Sequence, residues 1–415
     1  AQILTNMIKF NALDLYEDSH EIARDKLNTI LEMFENALLR ELEIQYDIEE
    51  YSKARQFVGI LSRLDNDQTM IDFFLQKTIF DDEQSNEFFN FHTFDTNLFY
   101  TRQPVKPVDN NTALLSGEVE NSTEFTNVVN PQRLDEFMDD LSAIFNSLSK
   151  IIDQIFPPSI PMMYKLCEEL ISNQLMELVA VIVHSSMAKN CYLELVPLLY
   201  TYLTNNLVNK LTLSVNMGDS YRSLFKDLMD MMFETFTVDY IREEGEAFKG
   251  FARTKIADWK DSLTKREEQT VQNILKNARV ENKNDLLSSF RKVFTLNMKV
   301  GDQASPTRGA SLEQQNEEIS QIEAKTKILS ENIKSLNKIF SIELAMDILK
   351  EAKQSLHRLL AFREFLISAV RNEVYQGMQV IFISVVDTVG DDHVKSGFEK
   401  ALEYLKTYDP ADPLI

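Results

Sequence analysis

Glycine and proline are scarce in this chain, with ten of each in 415 residues. Sheet-rich folds place a turn about every 8–12 residues and draw on these two residue types to make it, so a β-rich fold is excluded. Cysteine is scarcer still. Cys167 and Cys191 lie 24 residues apart, in neither a C-x-x-C pair nor a zinc-finger spacing, which excludes a disulfide framework and reads as two buried thiols of a reducing compartment. The five histidines, His20, His92, His184, His357 and His393, are scattered and form no H-E-x-x-H. No Walker loop, G-x-G-x-x-G or G-x-S-x-G is present, so neither a cofactor nor an enzymatic activity is expected. His184 and Cys191, seven residues apart, lack a third ligand or orienting group and read as ordinary packing.

Long apolar runs are missing as well. The best, "LVAVIV" at 178–183, falls far short of the ~18 residues of a membrane span. Positive charge is in deficit, with 43 basic against 65 acidic residues and a net charge of −22. Such a surface repels phosphates and anionic headgroups, so nucleic-acid binding is not expected and membrane contact is expected to be indirect. The start lacks a signal-peptide layout and the end lacks a prenylation box, which predicts a cytoplasmic protein, or a piece of a longer one.

What the chain does contain is helical periodicity. Hydrophobic residues make up 44% and charged residues 26%, the balance of a folded protein with a large core. Leu27, Ile30, Leu31, Phe34, Leu38 and Leu42 predict one buried stripe on a helix over 18–46. Amphipathic segments follow over 48–64 and 69–80. Another runs from Pro131 to Phe156, with Leu134, Phe137, Leu141, Ile144, Phe145, Leu148, Ile151 and Ile152 in phase. Pro157 and Pro158 stop it, and Pro161 sits at the first turn of the next helix, so the three prolines predict a rigid apolar corner. The segment 162–190 is apolar on more than one face and predicts a central helix. Pro197 is expected to mark or kink the start of the next one. A long amphipathic helix is predicted through Ile322, Leu329, Ile333, Leu336, Phe340, Leu344 and Ile348, of coiled-coil character at its start.

These signals give an all-α chain in five parts: an N-terminal bundle over 1–103, a loop or linker over 104–130, a middle bundle over 131–300, a loop over 301–311 and a C-terminal bundle over 312–415. Two features are candidates for partner surfaces. One is the aromatic cluster at Phe88, Phe89 and Phe91, whose alternative reading is packing between helical units. The other is the basic series Lys350, Lys353, Arg358, Arg363 and Arg371, suited to an acidic partner or a membrane surface, or a solvated helix face.

"IDQIFPPS" at 152–159, "YLTNNLVNKLTLSV" at 202–215, "IADW" at 256–259 and "SLNKIFSIELAMDILKEAKQSL" at 335–356 resemble, in the same order, the fungal recyclin family, F-box proteins of endosomal recycling. "LLRELEIQYDIEEYSKARQFVGIL" at 38–61 is similar to a helical hairpin of the exocyst's Sec-ten-type subunit, to which recyclins are related. The resemblance implies an elongated rod of stacked helical bundles, the tethering-complex (CATCHR) fold. It also implies a non-enzymatic tethering or adaptor role in recycling membrane proteins from endosomes to the Golgi and plasma membrane, peripheral to those organelles and to sites of polarised growth. The partners it implies are Rab-type small GTPases, a lipid flippase, and a ubiquitin-ligase adaptor held through an F-box that this sequence does not show. The alternative is an exocyst subunit acting in exocytic vesicle tethering.

Overall fold

The computed structural model describes residues 2–11, 17–64, 67–80, 88–90, 92–104, 125–277 and 339–406. The loop over 301–311 and the stripe positions Ile322, Leu329, Ile333 and Leu336 lie outside them. Two compact units are formed: Ala1–Ile241 with Arg358–Val374, and Arg242–His357 with Tyr375–Ile415.

The first unit opens with α1 (Gln2–Asn11), α2 (Glu17–Asp47), α3 (Tyr51–Leu61) and α4 (Asp67–Phe80). The chain turns from α2 into α3 through Glu49 in the left-handed region, and Leu38 and Leu42 of α2 are buried with Ala54 and Val58 of α3. The N-terminal part of the predicted stripe is different: Ile30 is exposed, because the packing on α3 engages only the C-terminal half of α2.

Strands β1 (Tyr100–Pro104) and β2 (Phe125–Val129) pair antiparallel, with Tyr100 opposite Val129. The two ends of the segment predicted as a loop are thus held together, and its residues 105–124 lie outside the described ones. Asn130 then caps α5 (Pro131–Ile155), accepting from the Gln132 amide, with proline at the first helical position where no donor is lost. Of the in-phase residues, Leu134, Phe137, Leu141, Phe145, Leu148 and Ile152 are buried, while Ile144 and Ile151 are half-buried.

Beyond the proline corner, α6 (Met162–Glu169), a π-helical turn (Leu170–Leu175) and α7 (Met176–Ala188) form one continuous helical path. Met163, Cys167, Ile171, Leu175, Val179 and Val183 are buried along it, four residues apart. Steps of four overshoot a 3.6-residue turn and would walk around an α-helix, and the wider π turn absorbs part of that drift.

Helix α8 (Tyr192–Thr201) carries Pro197 inside it, and not at its start as the sequence predicted. A proline there frees the carbonyl four residues back. That carbonyl, on Leu193, accepts the Tyr240 hydroxyl at 3.1 Å, so the interior proline leaves no orphan. A second π turn (Tyr202–Leu207) and the short α9 (Val208–Lys210) lead to Gly218, whose φ of +66° opens the turn into α10 (Tyr221–Asn277).

The second unit holds the later part of α10, most of α11 (Ile342–Leu359), most of α12 (Ser368–Val385), a π segment (Val386–Lys395) and α13 (Ser396–Lys406). A Cβ on Gly397 would come within 2.6 Å of the Phe340 ring, so glycine permits that close approach.

Candidate interaction surfaces and the proline corner

Pro157, Pro158 and Pro161 do interrupt the backbone ladder, and the groups they release are gathered by one side chain from 53 to 59 residues downstream. The Asn216 amide nitrogen donates to the carbonyls of Pro157 at 3.1 Å and Ile160 at 2.8 Å, while its oxygen accepts the Met163 amide at 3.0 Å. Asn216 is in turn held by Asp153, whose carboxylate accepts from the Asn216 amide (2.8 Å), the Val215 amide (2.8 Å) and the Ser214 hydroxyl (2.9 Å). About two turns further back on α5, Asn146 accepts from Thr212 and donates to the Lys210 carbonyl. Buried polar groups must find partners, and here three short polar side chains supply them. Two sequence motifs, 152–159 and 202–215, thereby become one structural feature.

A second polar node lies in the same unit. Asp230 of α10 is 0% exposed and accepts from the Tyr200 hydroxyl (2.7 Å), the Lys226 ammonium (2.8 Å) and the Leu366 amide (2.9 Å). Burial, reinforced by the Asp230 charge, pushes the Tyr200 phenol well above its usual range. The cation and two neutral donors satisfy the carboxylate, so the node ties three segments together.

The predicted aromatic cluster gathers around Phe137 of α5. Phe88 stacks on it with ring centroids 5.8 Å apart, and Phe94 and Phe99 approach it at 5.8 and 5.6 Å. Phe88 is half-buried and Phe89 buried; Phe91 lies outside the described residues. The basic series is divided. Lys350 and Lys353 are exposed on α11 in the second unit, whereas Arg358, Arg363 and Arg371 belong to the first. Arg371 donates to the backbone carbonyls of Phe365 and Leu366, and Arg363 pairs with Glu364 at 2.7 Å.

His184 is exposed and Cys191 buried; the Cys191 thiol donates to the Asn127 carbonyl at 3.3 Å. Both cysteines are free. Among the described residues, no group of three or more His, Cys, Asp or Glu is placed to hold a metal ion, and no helix is long and apolar enough to cross a membrane.

Periodicity does not reveal Asn146, Asp153, Asn216 or Asp230. Their one signal is a short polar residue inside an apolar stretch, as in "LMDMMF" around Asp230.

No solved structure matches this chain. Among curated proteins it is similar to Recyclin-1 of Saccharomyces cerevisiae, 23% identical over 441 residues that cover 92% of this chain and 48% of that protein. It is also similar to F-box protein pof6 of Schizosaccharomyces pombe, 24% identical over 219 residues, covering 44% of this chain and 25% of that protein. The chain thus spans about half the length of the first and a quarter of the second. The family described as exocyst complex component Sec10-like, alpha-helical bundle, matches residues 1–412, so the chain belongs to that family.

Proposed function

We propose that this chain is a non-enzymatic tethering or adaptor region of a recyclin-like protein. It serves the recycling of membrane proteins from endosomes to the Golgi and plasma membrane through Rab-type GTPases and other protein partners. The observation that carries this reading is the similarity to Recyclin-1 over 92% of the chain, set within a family match over 1–412. Physical features support it. The most elaborate polar constellations, around Asn216 and Asp230, hold the fold together through hydrogen bonds to backbone and side chains. A net charge of −22 favours membrane contact through an intermediary, and so a place peripheral to endosomes, Golgi and sites of polarised growth. A lipid flippase is a further partner under this reading, and a ubiquitin-ligase adaptor would join through an F-box.

The test is a pull-down of Rab GTPases loaded with GTP analogue or GDP, using the full chain. A GTPase retained in the GTP form alone supports the proposal, and equal or absent retention in both forms overturns the Rab assignment. The second reading, an exocyst subunit acting in exocytosis, is favoured by the family's own description. Co-purification of the tagged protein with exocyst subunits would select it over the first.

A further inference from the structure

Helix α11 has two apolar faces. Leu344, Ile348, Ala352 and Leu359 are buried. Rotated from them, Ile342, Met346 and Leu349 face solvent at 75%, 60% and 46% exposure, and Leu356 is half-buried. With Lys353, this second row runs 342, 346, 349, 353, 356, in alternating steps of four and three. That is the spacing of a coiled-coil seam. The apolar surface continues onto α13, because the Phe340 ring lies 5.1 Å from that of Phe398, which is exposed together with Leu402.

Charge decides what covers the seam. Glu343 and Lys350 flank the same edge, seven residues apart, and Lys353 occupies a seam position. Asp347 is engaged within the unit by Lys255 at 3.7 Å, whereas Lys350 and Lys353 have no ion pair among the described residues. A parallel partner copy would set Lys353 against Lys353 inside the seam, a repulsive arrangement. An antiparallel copy, with its two-fold axis between Met346 and Leu349, sets each Glu343 against the Lys350 of the other chain and Lys353 near Ile342 and Glu343. An anionic membrane would meet Glu343, Asp347 and the acidic body of the chain.

We infer that α11 is a self-association surface: a second copy of this chain docks on it antiparallel, seam against seam, with reciprocal Glu343–Lys350 pairs. This is independent of the trafficking reading, and the pairing is isologous, as a two-fold dimer requires.

Sedimentation equilibrium of the full chain from about 1 to 100 μM tests it. The average mass is expected to rise from 48.0 kDa toward twice that value. Leu349→Glu, at an exposed position, is expected to abolish the rise with helical content and unfolding midpoint unchanged. Should that variant fold poorly, the charge variants carry the test. Glu343→Lys and Lys350→Glu alone each weaken dimerisation, by about tenfold. The double swap, or an equimolar mixture of the two single variants, restores it. A constant mass at all concentrations, single variants that dimerise as well as the parent, or no restoration would each overturn the inference. A photo-cross-linker at position 349, with isotope-mixed copies, adds a direct reading. Cross-links between α11 segments of two copies support it, and cross-links confined to one chain overturn it.

Discussion

The backbone amide of Met163, the second residue of α6, donates to the side-chain oxygen of Asn216 at 3.0 Å. One amide group thereby takes over both the donor and the acceptor roles that helix breakage at the proline corner leaves open. Truncating it strands the buried Met163 amide and removes one of the two hydrogen bonds accepted by each of the Pro157 and Ile160 carbonyls, which keep those from the Ile160 and Met162 amides. Asn216→Ala is therefore expected to lower stability by about 1–3 kcal/mol, read as a reduced urea midpoint with an unchanged slope. Asn216→Asp, which keeps the acceptor but loses the donor, is expected to be no less damaging, since a carboxylate would face two carbonyl oxygens. A loss below ~0.5 kcal/mol in either variant would show that the corner is held by its apolar packing alone.

At Asp230 the ordering of two variants is diagnostic. Asp230→Ala removes the acceptor of three donors, one of them the Lys226 ammonium, and is expected to cost about 3–5 kcal/mol. Tyr200→Phe removes one donor and leaves the carboxylate with two, for about 1–2 kcal/mol. Equal costs would mean that the Tyr200 hydroxyl, and not the ammonium or the Leu366 amide, carries the node.

The cysteines give a chemical prediction. Complete burial pushes the Cys167 thiol up to about 12, and burial also raises that of Cys191. Thiolate is the reactive form, so the native protein at about pH 8 is expected to resist thiol reagents at both positions. Both should react at once in denaturant. A thiol titrating fast in the native state would contradict the packing of α6 or of the Cys191 turn.

His393 predicts a pH dependence. Its Nε2 accepts the Ser341 amide at 3.1 Å, so the proton sits on Nδ1, which is buried without a partner. The Trp259 ring lies 4.6 Å away, and desolvation holds the imidazole below its ordinary range. The unfolded chain therefore binds the proton first as pH falls. The stabilisation is complete above about pH 6.5 and is lost below it, by at most about 1.4 kcal/mol per pH unit. His393→Gln is expected to lose this component, so that the stability gap between parent and variant narrows as pH falls from 7 toward 5. A gap independent of pH would refute it.

Legibility in the sequence followed the physics of each signal. α5 was readable because its apolar residues keep one phase from Leu134 to Ile152 and both ends are marked, by Pro131 and by Pro157. The 162–188 path read as apolar on several faces because steps of four are followed through a π turn, whose hydrogen bonding leaves no residue signature. Pro197 was misplaced for a related reason: its cost inside a helix is offset by the Tyr240 hydroxyl, which lies 47 positions from the Leu193 carbonyl it reaches. The apolar stripe through Phe340, Leu344 and Ile348 was visible, but not that α11 carries two rows of opposite exposure, since burial depends on partners distant in sequence. Asn216 and Asp230 stayed silent because a single polar letter does not say whether it faces water.

The clamp at the corner also sets where this protein can be divided. A fragment ending anywhere between Met163 and Asn216 would keep the prolines but discard their hydrogen-bonding partner, and one beginning after Asp153 would keep Asn216 but lose its support. Either truncation is expected to yield insoluble or protease-sensitive material. A fragment of the first unit would further need Arg358–Val374, which supplies the Leu366 amide to Asp230, spliced back to its N-terminal part.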